Sequence, residues 1–195
     1  MRIHFITRSI QTAVLACLLL AVGCAKMSGL YGSPEPLPPS AQIGGTYYNQ
    51  VGMYYEKGRY LTTNYSAGIF LPVNTPVQLS EYNRKSFVVT VQSTAEPIEV
   101  VNVEKYTHWS QAQTFEKLFA PGKVSLSKFS GTERKNIDAG SIDKGMRKDA
   151  VIVARGYPPS HETPSLKRDQ WKYWKNRWNT IIVTFKNDRV VDIKD

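Results

Sequence analysis

The N-terminal segment constrains the fold most, because it predicts that the first residues do not belong to the folded protein. Arg2 and Arg8 precede an apolar stretch at residues 13–22. This stretch is too short to span a bilayer as a mature helix, and a basic segment followed by such a stretch is typical of an export signal. We therefore exclude residues 1–23 from the fold. Their removal lowers the formal net charge of +9 by two, because the segment holds two basic and no acidic residues.

The end of the apolar stretch carries a recognisable pattern, Leu19-Leu20-Ala21-Val22-Gly23-Cys24. It resembles the bacterial lipobox, with Ala21 at the position where Leu is usual. The resemblance implies transfer of a diacylglyceryl group to the Cys24 sulfur, cleavage after Gly23 and acylation of the new amino terminus. Several acyl chains of the palmitate type would then hold the protein firmly on a membrane, which one chain does not. The alternative is an ordinary secretory signal that leaves Cys24 a free thiol.

Residues 24–44 are predicted to be a tether between the membrane and the folded part. No Asp follows Cys24 directly, and by the sorting rule of lipoproteins this implies the outer membrane, facing the periplasm. The tether includes Ser33-Pro34-Glu35-Pro36-Leu37-Pro38-Pro39-Ser40. Prolines favour the extended polyproline II conformation, so we expect a semi-rigid spacer. Of the two cysteines, Cys17 leaves with the signal and Cys24 is lipidated, so no disulfide is expected.

Residues 45–107 show the pattern of a small all-β domain. Short runs rich in β-branched and aromatic residues, such as residues 87–91 and 98–103, alternate with turn residues such as Glu56-Lys57-Gly58. Residues 68–77 resemble the entry to an SH3-like barrel, where a proline-containing bend leads into a strand. This resemblance implies a small antiparallel barrel or sandwich.

A helical connector is predicted at residues 108–128. Ala112, Phe115, Leu118 and Phe119 recur at helical spacing after Ser110, a candidate N-cap, and Pro121 follows as a stop signal.

Residues 129–195 predict two helices followed by a three-stranded meander. Ser130 and Glu133 form a predicted capping box, and Gly140 can end that helix in the left-handed conformation. Residues 142–151 are expected to form the first part of a second helix, which ends at Gly156. Strands are expected to begin at residue 170 and to cover residues 180–185 and 189–193, with a tight hairpin turn between the last two.

The order of these elements resembles the SmpA/OmlA (BamE-like) family of envelope lipoproteins. The matching residues are Gly145, Met146, Val151, Gly156, Pro158, Trp171, Tyr173, Phe185 and Val190. The resemblance implies a non-enzymatic lipoprotein that binds other proteins or lipid headgroups, with a scaffolding role like that in β-barrel assembly. The predicted fold class is thus α+β, an SH3-like domain followed by a BamE-like helix–helix–three-stranded-sheet module. The large N-terminal half is a departure from the family pattern.

Catalytic and metal-binding patterns are missing from the sequence. The three histidines are His4, in the signal, His108 and His161, and no metal-ligand spacing such as His-x-x-x-His occurs. Neither a Gly-x-Ser-x-Gly nucleophile elbow nor a phosphate-binding loop is present. We therefore expect no enzyme activity, no catalytic residues, no metal and no cofactor.

The most distinctive segment is residues 167–178, in which basic and aromatic residues are interleaved. Such a mixture suits nucleic acid, but an exported protein does not meet it, so no nucleic-acid partner is expected. Strand alternation predicts that Trp171 and Tyr173 are core residues. The remaining candidates for contact with an envelope protein or an anionic lipid are Trp174, Lys175, Arg177 and Trp178. The alternatives are a solvated hairpin without a partner or, for the whole protein, a peptidoglycan- or peptide-binding function of the SH3-like half.

Overall fold

The structure is a computed structural model that describes residues 35–195. The predicted signal, Cys24 and the first part of the predicted tether lie outside the described residues. The described residues fall into one compact unit.

Strands dominate this part of the chain. In chain order they are β1 (Thr46–Asn49), β2 (Met53–Tyr55), β3 (Arg59–Leu61), β4 (Ile69–Leu71), β5 (Pro76–Tyr82), β6 (Ser86–Val91), β7 (Pro97–Val101), β8 (Phe119–Ala120), β9 (Gln170–Trp174), β10 (Thr180–Lys186) and β11 (Arg189–Lys194). The helices are short: α1 (Glu104–Thr107), α2 (Gln111–Leu118), α3 (Gly131–Ala139) and α4 (Lys148–Arg155).

The strands form three sheets. A six-stranded mixed sheet has the order β3-β7-β6-β5-β1-β8, in which β3 pairs with β7 in parallel and the other pairs are antiparallel. Strands β2 and β4 form a separate two-stranded sheet. The last three strands form an antiparallel sheet with β10 in the centre.

Local sequence chemistry explains where the helices begin and end. The Ser110 side chain accepts a hydrogen bond from the Gln113 N–H and forms a capping box at the start of α2. The predicted capping box of Ser130 and Glu133 is confirmed at the start of α3, and Gly140 ends that helix with a φ of 63°. These contacts satisfy N–H groups that have no partner inside the helix.

Two hydrophobic cores lie side by side and are connected. One is formed by residues of the six-stranded sheet, of strands β2 and β4 and of helix α2, and the other lies between the three-stranded sheet and helices α3 and α4. Ile152 of α4 packs against both cores. The Gly52 N–H donates to the Val153 carbonyl at 2.8 Å, and Asn64 Nδ2 donates to the Arg155 carbonyl at 2.6 Å.

The predicted fold class is wrong, because the residues do not form an SH3-like barrel followed by a BamE-like helix–helix–sheet module. Five of the N-terminal strands, β1, β3, β5, β6 and β7, join a six-stranded mixed sheet together with β8 from the predicted helical connector, while β2 and β4 pair with each other. Strands of two to four residues, such as β1, β3 and β8, are too short to show alternation. Sequence pattern also gives no signal for the parallel pairing of β3 with β7.

The start of the second C-terminal helix also differs from the prediction. Helix α4 begins at Lys148 rather than near residue 142. Gly145 has a φ of +90°, which lies in the left-handed region, so the chain turns before the helix begins.

Candidate functional site

The candidate site is the loop between β9 and β10, residues 175–179, which we call the hairpin loop. Trp178 is 78% exposed, the highest value among the large hydrophobic side chains that the structure describes as exposed. The Arg177 guanidinium lies 5.0 Å from the centre of the Trp178 ring. An exposed indole with a cation over its face is a combination that favours interfaces.

The conformation of the hairpin loop is fixed by one side chain. Asn176 Oδ1 accepts hydrogen bonds from the Trp178 N–H at 2.8 Å and the Asn179 N–H at 2.9 Å. The Lys175 N–H donates to the Asn179 carbonyl at 2.8 Å. Arg177 and Trp178 are therefore presented to solvent by a locally ordered loop, which lowers the entropy cost of binding through them.

The structure separates the four sequence-predicted contact residues. Trp174 is half-buried, with its ring edge-on to Tyr65 at 6.5 Å and the Lys172 ammonium 5.6 Å from its centre. Lys175 forms an ion pair with Asp195. Arg177 and Trp178 are thus the freely exposed members of the set. The prediction that Trp171 and Tyr173 are core residues is confirmed, since they are 1% and 0% exposed.

A shallow, open cavity of about 440 Å³ adjoins the exposed indole. Its lining residues are Lys175, Trp178, Asn179, Thr180 and Asp195. On the adjoining strands, Ile182 is 36% exposed and stands between Lys172 and Lys194 in the strand register. This end of the three-stranded sheet therefore offers exposed apolar area beside lysines, of which Lys172 and Lys175 are paired with Glu162 and Asp195.

Sequence reasoning missed a second feature, the buried guanidinium of Arg155, which is 6% exposed. It donates to Ser66 Oγ and, at 3.5 Å, to the Gly140 carbonyl, and it lies 5.0 Å from the Tyr54 ring centre. No ion pair in the described part of the chain includes Arg155, and residues 1–34 contain no Asp or Glu. Aromatic faces and a carbonyl at the C-terminal end of α3 offset its charge.

The contacts of Arg155 join separate elements of the fold. Its contacts connect α4 to the loop after β3 and to the end of α3. A basic residue in the last turn of a helix is usually exposed, and its charge interacts favourably with the helix dipole. The sequence therefore does not indicate that Arg155 is buried.

Residues 35–195 carry neither a metal site of the usual composition nor a helix that could span a membrane. These residues contain no group of three or more His, Cys, Asp and Glu side chains placed to hold a metal ion. Within the same range, no helix combines the length and the apolar character needed to cross a membrane.

Comparison with known proteins gives no relative. No family model, no curated protein and no solved structure matches the chain. The resemblance to the SmpA/OmlA family therefore stays a prediction from the sequence.

Proposed function

We propose that this protein is a non-enzymatic lipoprotein of the outer membrane, attached through acyl chains at Cys24 and facing the periplasm. In this proposal the hairpin loop binds an anionic surface, and the protein acts as a scaffold for envelope partners. The sequence up to Cys24 supports the attachment. The observation that carries the binding role is the exposed Trp178 beside Arg177.

The energetic argument starts from the exposed indole. Burying an aromatic side chain at an interface is strongly favourable, whereas an isolated exposed Trp does not stabilise the folded monomer. Arg177 adds a charge that can pair with a carboxylate or a phosphate in two hydrogen bonds. The excess of basic over acidic residues in the whole chain favours the approach of an anionic partner.

The alternative is a peptidoglycan- or peptide-binding function of the N-terminal half. It has less support than the hairpin loop, because it was inferred from an SH3-like barrel, whereas these strands form a six-stranded mixed sheet and a separate two-stranded sheet.

Binding by the hairpin loop can be tested with vesicles and with envelope extracts. The purified protein is mixed with phosphatidylcholine vesicles, with or without phosphatidylglycerol, and is also used to capture proteins from detergent-solubilised envelopes. We expect binding to an anionic vesicle or to a discrete envelope protein, and a loss of about tenfold, or 1.4 kcal/mol, for the double substitution Arg177→Ala and Trp178→Ala.

The matched control is Ile69→Ala, which removes an apolar side chain that is 57% exposed on another sheet. It should leave binding unchanged. Equal losses for Ile69→Ala and for the hairpin-loop variant would contradict the proposal, as would unchanged binding by the hairpin-loop variant.

A further inference from the structure

A groove at the beginning of helix α2 holds a carboxylate from the chain's own tether. The Gln111 N–H donates to Glu35 Oε2 at 2.8 Å. The Gln113 N–H, two residues further along the helix, is bound by the Ser110 side chain. Glu35 therefore occupies the position where the exposed N–H groups and the dipole of a helix favour an anion.

The groove carries more positive charge than Glu35 neutralises. It forms a cavity of about 390 Å³ whose lining includes Arg84, Lys85 and Lys105, with Glu104 as the second acidic residue. None of these three cations takes part in an ion pair within residues 35–195. The groove is therefore suited to a ligand with more than one negative charge.

Two buried polar atoms near Glu35 have no partner among the described residues, Gln111 Oε1 and the Tyr82 hydroxyl. Gln111 is 3% exposed and lines the cavity. Burial, helped by the nearby Glu35 and Glu116 carboxylates, raises the pKa of Tyr82 to about 12, so its hydroxyl keeps its proton at neutral pH. Buried polar groups without partners are rare, and the Gln111 side-chain oxygen is an acceptor that the N–H of a peptide in the groove can satisfy.

The contacts that hold the tether in the groove are few. Beyond the Glu35 hydrogen bond, residues 36–40 are held by a hydrogen bond from Ser40 Oγ to Glu116 at 3.3 Å and by the burial of Pro38, while Pro36 and Leu37 are exposed. The next residues are held separately, because the Gln42 N–H donates to the Tyr47 hydroxyl and the Gly44 N–H to the Leu79 carbonyl, both at 2.7 Å. A segment bound by so few contacts can exchange with a competitor of the same chemistry.

We propose that this groove is a docking site for an extended acidic segment of a partner protein, and that the tether occupies it through Glu35 until the partner replaces it. Displacement would also free residues 35–40 to extend over about 19 Å, at about 3.1 Å per residue in polyproline II, while Gln42 and Gly44 stay hydrogen-bonded to the sheet. The proposal goes beyond the hairpin loop and does not depend on lipidation of Cys24.

The test uses the tether sequence itself as a peptide, Ser-Pro-Glu-Pro-Leu-Pro-Pro-Ser, with a fluorescent label. It is added to the full chain and to its Glu35→Gln variant, and binding is measured by fluorescence anisotropy. If the tether fills the groove about nine-tenths of the time, Glu35→Gln should free the groove and lower the apparent Kd of the peptide about tenfold. A peptide with Gln in place of Glu should bind at least about tenfold more weakly.

Two sets of variants locate the binding. In the Glu35→Gln background, the exposed pair Arg84→Ala and Lys85→Ala should weaken peptide binding about tenfold, whereas Lys186→Ala on β10 should not change it. Equal binding of the Glu and Gln peptides, or no gain from Glu35→Gln, would overturn the proposal. Displacement of the peptide by inorganic phosphate at equal concentration would also overturn it, because the groove would then be a simple anion site.

Discussion

The buried carboxylate of Glu133 connects the two C-terminal helices and gives a pH-dependent prediction. Glu133 is 5% exposed, and its Oε2 accepts from the Ser130 N–H at 2.9 Å. Its Oε1 accepts from the Arg147 N–H at 3.0 Å and from Arg147 Nε at 3.2 Å. Burial alone would raise the pKa, but the hydrogen bonds from Arg147 and Ser130 outweigh it and lower the pKa of Glu133 from 4.5 to about 2.

We expect Glu133→Gln to lower the free energy of unfolding by about 2 kcal/mol at pH 7. At about 1.36 kcal/mol per pKa unit, the lowered pKa corresponds to at most about 3 kcal/mol. The Arg147 side chain is 33% exposed, so solvent screens part of this interaction. The amide keeps one acceptor but loses the charge, which is the larger part of a charge-assisted hydrogen bond.

The pH dependence has a definite sign. The folded pKa lies below the unfolded one, so the stabilisation is present above about pH 5 and is lost as the pH falls towards about 2. Urea denaturation of wild type and Glu133→Gln should show the full difference at pH 7 and less than about half of it at pH 3. The exposed Asp138→Asn, on the same helix, is the control and should show little difference at either pH. A difference for Glu133→Gln that is equal at both pH values would refute the reasoning.

Packing gives two further predictions that urea denaturation can check. A Cβ added at Gly52 would lie 2.3 Å from the Ala154 carbonyl oxygen, so Gly52→Ala should cost about 2–3 kcal/mol. At Gly122 no atom lies within 4 Å of such a Cβ, so Gly122→Ala should change the free energy of unfolding by less than about 0.5 kcal/mol. Equal losses for Gly52→Ala and Gly122→Ala would contradict the described packing. Trp171→Ala should lower the free energy of unfolding by about 3–5 kcal/mol, because Trp171 is buried, and Trp178→Ala by less than about 0.5 kcal/mol, because Trp178 is exposed. A large loss of stability for Trp178→Ala would show that Trp178 is a core residue.

The sequence predicted local structure better than it predicted which β-strands pair with each other. Capping chemistry located the start of α3, and two-residue alternation located β9 and the burial of Trp171. These signals are local, because a cap or an alternating strand is encoded within a few neighbouring residues. The start of α4 was misplaced because Gly145 interrupts an otherwise helical pattern.

The fold class failed because sheet order depends on distant residues. Strand β1 pairs with β5 on one side and with β8 on the other, and these partners are far apart in sequence. Composition and periodicity carry no information about which short strands meet. The SH3-like prediction interpreted a bend followed by a strand, within residues 68–77, as the entry to a small barrel. That strand, β5, belongs to the six-stranded mixed sheet instead.

The candidate site was predictable in part. Interleaved basic and aromatic residues indicated the hairpin loop, and the structure leaves Arg177 and Trp178 exposed there. The groove that binds Glu35 was not predictable, because it brings the tether to a helix start that lies more than seventy residues away. No local pattern marks a contact of that kind.

The proposed function depends most on Cys24 being the lipidated first residue of the mature protein. The most direct measurement is the intact mass and the N-terminal peptide mass of the protein purified from bacterial envelopes. We expect a chain that begins at Cys24 and carries a diacylglyceryl group and an N-acyl chain, and we expect the Cys24→Ala variant to take up no lipid label. A mature chain that begins elsewhere, or one with an unmodified Cys24 thiol, would contradict it.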